Sequence, residues 1–291
     1  MKRTQAYILI ILSGFLFATS GIFVRFLTPY GFSSLQMTAM RGVVSAIILS
    51  VYVLIKNRKL FKTELGELFL FFLSGLTMFM CAYFYYASLE HTTIATAVVL
   101  MYTSPIYVLL FSVMFLKEKI TTLKILAVAT MIIGAALVSG ITGGIQFDFL
   151  GVIFGLLSGI SYSAYNIITK YAMKRKNNPI TTMVYCYIFM AAISGLSADM
   201  FGMVTLTLQN PYIILPMILG IGIFTCALPY LIYTFALKEI PAGTASALGL
   251  VDPMAAILYG VILFKEPLSV SLVLGIILIL GSIFAISTIK E

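Results

Sequence analysis

Apolar residues in this chain fall into long unbroken blocks, not into alternating patterns. Ten blocks can be read, at about residues 6–27, 34–55, 66–88, 94–115, 122–140, 149–170, 180–199, 211–237, 243–263 and 268–288. Each is close to the roughly 20 residues that carry a helix across a hydrocarbon layer. Short polar or turn-forming pieces separate them, among them TPYGFS (28–33), KNRKLFKTELGE (56–67), TGGIQFD (142–148) and KRKNNP (174–179). A transmembrane barrel would instead alternate apolar and polar residues over segments of about ten. The pattern therefore predicts an all-α integral membrane protein with ten transmembrane helices.

Composition agrees. Of the 291 residues 61% are hydrophobic and 10% charged, with a mean hydropathy of +1.10. A soluble domain carries about 25% charged residues. The net charge of +8 is unevenly placed. With the N-terminus inside, alternate loops collect Lys2 and Arg3, the Lys56–Lys62 group, Lys117 to Lys124, Lys170 to Lys176, Lys238 and Lys290 on one face. Of the 18 basic residues only Arg25, Arg41 and Lys265 fall elsewhere. Cytoplasmic loops carry such an excess, so both termini are expected in the cytoplasm. The basic charge reads as a sorting signal with affinity for anionic headgroups; a nucleic-acid partner, which would want a basic folded domain, is not expected.

The chain also repeats itself. LSGFLFATSGIFVRF (12–26) matches LSGISYSAYNIITKY (157–171), which sets Arg25 against Lys170. Residues 85–121 align without gaps to 233–269; Pro105 falls on Pro253, and Lys117-Glu118 falls on Lys265-Glu266. The halves, 1–141 and 142–291, hold five blocks each. An odd number turns the second half upside down, which is the inverted-topology repeat of secondary transporters. ATS (18–20) after MKR has the look of a signal-peptide cleavage site. Cleavage there would break the symmetry, so the first block is expected to be retained.

TSPIYVLLFSVMFLKEKIT (103–121) and VDPMAAILYGVILFKEPLS (251–269), one closing each five-helix half, resemble the EamA family of the drug/metabolite transporter superfamily. The resemblance runs from about residue 6 to 288. It implies ten helices, cytoplasmic termini, a central cavity between the halves, and export of amino acids or other small metabolites across the cell membrane by alternating access. Proton coupling stays open, and a channel or lipid flippase is the alternative. The family often has an acid, usually Glu, before the second proline; here it is Asp252, and the matching first-half residue is Ser104.

Asp252 sits at the middle of its block, whereas the other carboxylates fall in loops or at block ends. A charge at mid-depth costs about 2.5–3.5 kcal/mol on insertion scales. Such an acid is a proton carrier or a ligand for an amine-bearing substrate; the alternative is a structural hydrogen-bonder. Pro253 and Pro105 lack an N–H and are expected to kink their helices, freeing the carbonyls of Gly249 and Met101 toward a cavity. Arg41 is the other interior charge. It is open to a substrate carboxylate, to Asp252, to Glu90 or Asp148, or to snorkelling outward. Arg25 reads as an interfacial anchor. Tyr83, Tyr102, Tyr162 and Tyr230 are deep tyrosines whose hydroxyls need partners, and they are candidates for the cavity wall. Gly151, Gly155 and Gly159 share one helix face and predict a close-packed contact.

Enzymatic readings find no support. His91 is the one histidine, and Cys81, Cys186 and Cys226 lack metal or redox spacing. No phosphate loop or nucleophile elbow occurs, and an intramembrane protease would need paired mid-depth acids. No cofactor and no metal are expected. The expected partners are a small-molecule substrate and the lipid bilayer, with the chain a monomer or homodimer.

Overall fold

A computed structural model describes residues 3–104, 107, 122–138, 148–175, 178–236 and 251–288. Among these residues the regular structure is helical throughout, without strands. In sequence order the helices are α1 (Arg3–Ala18), α2 (Ser20–Leu27), α3 (Ser34–Lys56), α4 (Leu65–His91), α5 (Ile94–Met101), α6 (Thr122–Val138), α7 (Phe149–Lys174) and α8 (Pro179–Ser197). They continue with α9 (Met200–Gln209), α10 (Pro211–Gly222), α11 (Leu228–Ala236), α12 (Val251–Phe264) and α13 (Val270–Thr288). Six helical stretches among the described residues are long and apolar enough to cross a membrane: Thr4–Tyr30, Ser34–Lys56, Leu65–His91, Phe149–Thr169, Pro179–Ser197 and Pro211–Tyr233.

Polar residues set the helix starts. Ser33 and Gln36 form a capping box on α3, and Thr93 accepts from the Thr96 amide to start α5. Asn178 with Pro179 starts α8, and Asp199 starts α9. The first block is not one straight helix. Thr19 and Ser20 turn their hydroxyls back on the carbonyls of Leu16 (2.6 Å) and Phe17 (2.7 Å), and the helix is interrupted at Thr19. Small hydroxyl residues at ATS thus compete for backbone carbonyls where the regular helix is interrupted. Helix α9 falls between the apolar blocks 180–199 and 211–237, where the sequence reading set no helix. Its apolar residues are largely exposed, with Phe201 at 84%.

Contacts sort the helix ends into two poles. Arg25, Ser34, Glu90, Thr92, Asp148 and Glu266 gather at one. Leu60, Phe61, Glu67, Arg175, Thr181 and Tyr185 gather at the other. At the first, Ser34 donates to the Glu90 carboxylate, and His91 Nδ1 lies 3.1 Å from Asp148 Oδ2. At the second, Arg175 pairs with Glu67 at 3.3 Å.

Lipid is as apolar as leucine, so helices in it associate through close packing of small residues. The predicted glycine face of α7 does this. A Cβ at Gly155 would come within 2.7 Å of the Leu100 Cβ, and one at Gly159 within 3.1 Å of the Met101 carbonyl. Gly151 abuts Thr92 and His91. Helix α7 therefore lies flush against α4 and α5, and it holds the C-terminal end of α5 in place.

Candidate functional site

The site is built where α5 stops and α12 starts. Regular hydrogen bonding in α5 ends at Met101, and Tyr102 and Thr103 form a turn. Thr103 tightens it by donating its hydroxyl to the Leu100 carbonyl at 2.7 Å. The next carbonyl, of Ser104, accepts from the Ser163 hydroxyl at 2.8 Å. A side chain of α7 thus donates to a backbone oxygen just past the end of α5 and ties the two helices together. On the facing chain, Asp252 and Pro253 lie in the first described turn of α12. Helix α1 approaches closely: a Cβ at Gly14 would meet the Asp252 backbone nitrogen at 3.1 Å.

These two ends meet through one bond. The Tyr102 hydroxyl donates to Asp252 Oδ2 at 2.5 Å. Arg41 and the hydroxyls of Tyr85 and Tyr162 are the further electrostatic neighbours of the carboxylate. Asp252, Arg41, Tyr102, Tyr162 and Tyr230 all lie within the bundle, enclosed by protein, and each keeps part of its surface open.

Arg41 takes none of the expected carboxylate partners. Its Nε donates to Cys226 Sγ at 2.6 Å, and its Nη atoms lie 3.4 Å from the Tyr86 hydroxyl and from the Thr225 carbonyl. The guanidinium carbon stands 6.0 Å from the Tyr86 ring centroid. Glu90 is engaged by Ser34, and Asp148 by His91 and the Gly151 amide. Thr225 and Cys226 belong to a π-helical segment, Ile223–Ala227, between α10 and α11. Such a bulge rotates side chains out of α-helical register, and here it presents a sulfur and a carbonyl to the cation. Tyr187 accepts from the Cys226 thiol at 3.3 Å and packs edge-on to Tyr230 at 5.8 Å. Phe17 closes the row, 4.8 Å from Tyr230.

The sequence model of the EamA-like transporter family matches residues 4–140 and, a second time, 149–288. The chain belongs to the EamA-like transporter family. It is therefore a multi-pass membrane protein of a transporter family, as the long apolar helices require. An uncharacterized transporter of Clostridium kluyveri is 26% identical over 304 residues, covering 99% of this chain and 94% of the relative. An uncharacterized transporter of Archaeoglobus fulgidus is 28% identical over 274 residues, covering 94% and 93%. One solved crystal structure superposes with a TM-score of 0.62 at 17% identity, over 98% of this chain and 97% of the other, and is similar in fold.

Within this EamA-like transporter, the predicted site residues part into groups. Asp252, Tyr102, Tyr162, Tyr230 and Arg41 come together. Tyr83 does not: it stacks on Phe79 at 6.3 Å and leans on Phe84 at 5.4 Å, in an aromatic row that continues to Phe154. Ser104 is buried, and its carbonyl is the part seen at work. Pro253 is buried, while Pro105 and Gly249 lie outside the described residues. Among the described residues, no three His, Cys, Asp or Glu side chains cluster to hold a metal. Sequence reasoning missed Cys226, Tyr187 and Ser163. A cysteine in an apolar block reads as an ordinary small hydrophobe, and only the folded backbone sets it beside Arg41.

Proposed function

We propose that the protein is a secondary active transporter of ten membrane spans. Its two five-helix halves, 1–141 and 142–291, have inverted topology, and it moves amino acids or other small metabolites outward across the cell membrane by alternating access. One observation carries this reading: the Tyr102–Asp252 bond joins a mid-block hydroxyl of the first half to a mid-block carboxylate of the second. The double match of one family supports the division into halves. The shorter helices Ile94–Met101, Thr122–Val138, Val251–Phe264 and Val270–Thr288 fall in the remaining four apolar blocks. The basic loops support cytoplasmic termini.

Asp252 is then the coupling group. As a carboxylate it accepts from Tyr102; once protonated it accepts far more weakly, and the junction between the halves loosens. Substrate ammonium competes for the same oxygens, and Arg41 offers a cation for an acidic substrate group. Protonation and substrate binding thereby act on the contact that joins the halves, as alternating access needs.

Counterflow in proteoliposomes tests the reading, with a labelled panel of amino acids and small metabolites. Exchange that needs substrate on both sides supports a carrier. Uptake without trans substrate, linear in concentration, supports a channel. Orientation is tested in whole cells with an impermeant thiol reagent: cysteine at Gly31 should react and cysteine at Asn57 should not.

A further inference from the structure

We infer that Arg25 and Glu266 form a gate, a releasable latch that closes one mouth of the seam between α5 and α12. The inference rests on the carrier reading above. Helices α5 and α12 run antiparallel. At one end Tyr102 meets Asp252. At the other, Glu266 Oε1 accepts from the Ile94 amide at 2.8 Å, and Oε2 lies 3.4 Å from the Ala95 amide. The two clamps are about 12 Å apart along α12, from Asp252 to Gly260 at about 1.5 Å per residue. That is a little under half of a hydrocarbon core of roughly 30 Å. The path from this pole to the carboxylate along the seam is therefore closed by Glu266.

The chain is shaped for this contact. Lys265 adopts a left-handed backbone (φ 53°), and the Glu266 amide returns to the Gly260 carbonyl at 3.1 Å. Glu266 thereby folds back along α12 over Gly260, where any Cβ would collide with its carboxylate. The side chain is 8% exposed. Arg25 completes the latch from α2, donating to the Thr92 carbonyl at 2.6 Å and pairing with Glu266 at 3.4 Å. The first half supplies Arg25 and the amides, and the second half supplies the carboxylate.

Three features make the latch releasable and not a fixed brace. Helix α5 already has its own cap in Thr93, so its start does not depend on Glu266. The Arg25–Glu266 pair is long, Arg25 is 32% exposed, and its buried Nε has no hydrogen-bond partner among the described residues. Arg25 is the more exposed partner, so solvent at an open mouth can take over its hydrogen bonds when the pair parts. A helix N-terminus attracts a carboxylate without specifying one geometry, so release breaks no stiff covalent or packed element. The sequence repeat sets Lys170 against Arg25 and Glu118 against Glu266; at this mouth the observed pair alone carries the inference.

The test uses the full-length protein with one reporter cysteine at Ala256, which is buried between Asp252 and Glu266 in the core cluster of Ile94 and Val98. Labelling by an impermeant methanethiosulfonate is followed by peptide mass spectrometry, so Cys81, Cys186 and Cys226 stay in place. Whole cells expose one face and inside-out vesicles the other. Glu266→Gln and Arg25→Gln should each raise labelling at 256 about tenfold, a shift of the closed–open population, while Arg25→Lys should stay near the parent. Arg25→Gln keeps the Glu266 carboxylate and the Thr93 cap of α5 and removes only the cation that helps hold Glu266 in place, so it answers the question should Glu266→Gln fold poorly. Faster labelling in cells supports the latch and the orientation together. Faster labelling only in inside-out vesicles supports the latch and overturns the cytoplasmic termini. Unchanged labelling from both faces in folded Arg25→Gln protein overturns the latch.

Discussion

The hydroxyl of Tyr102 and the carboxylate of Asp252, 150 residues apart, are joined at 2.5 Å. The bond closes the gap between a helix that has just ended and one whose first described turn carries the acid. Neither residue could be placed there by local propensity. The geometry requires α7 to hold the end of α5, through Gly155, Gly159 and Ser163, and α1 to press on Asp252 through Gly14.

Tyr102→Phe keeps the ring and removes the donor. We expect the variant to fold, with a detergent melting temperature within a few degrees of the parent, because one hydrogen bond to a charged group is worth about 1.5–3 kcal/mol. Exchange measured across a pH series should shift its midpoint, since the carboxylate has lost its partner. A pH profile identical to the parent would make the bond incidental to transport.

Arg41→Lys should insert and fold but exchange substrate roughly tenfold more slowly. Lysine keeps the charge and loses the planar fork that reaches Cys226, Tyr86 and Thr225 together. Arg41→Gln should be slower still for acidic substrates. Equal rates for all three proteins would assign Arg41 to packing.

Gly155 tests the packing argument alone. An alanine Cβ there would sit 2.7 Å from the Leu100 Cβ, so α7 must move away from α5. Overpacking of this size costs about 1–3 kcal/mol, and Gly155→Ala should melt several degrees lower in detergent. An unaltered melting temperature would mean the two helices are looser than described.

Much of this was legible in the sequence, for identifiable reasons. Helix positions follow from continuous apolar blocks, and the glycine face of α7 from a four-residue spacing. Asp252 was conspicuous because nothing else acidic lies at mid-depth. What was not legible depends on side chains meeting across the fold. Glu266 looked like an ordinary block-end charge until α5 brought its amides to it. Arg25 looked like a lipid anchor for the same reason. The π-helical turn at Ile223–Ala227 has no sequence mark, and without it Cys226 could not be seen as the partner of Arg41. Helix α9 was missed because DMFGMVTLTLQN is too short for a span and too apolar to look like a surface helix.

Asp148 gives a pH test away from the membrane interior. The Gly151 amide, with His91 beside it, holds its carboxyl below the ordinary value of 3.8. The lowered folded value means its capping contribution is present above the ordinary value and fades as pH falls through the folded one. Melting temperature should therefore drop more in the parent than in Asp148→Asn as pH is lowered from 5 toward about 3, within the acid range of a carboxylate. Parallel curves would remove Asp148 from the acid sensitivity of α7.

Asp252 carries the central claim, and proton movement tests it most directly. Proteoliposomes containing a lumenal pH dye are given a substrate found by counterflow, with no imposed gradient. The account predicts a lumenal pH change that follows substrate flux in the parent and is absent in Asp252→Asn, which keeps the size and hydrogen bonding of the side chain but cannot cycle a proton. A pH change of parental size in folded Asp252→Asn protein would contradict it, and Asp252 would then be a structural partner of Tyr102 and nothing more.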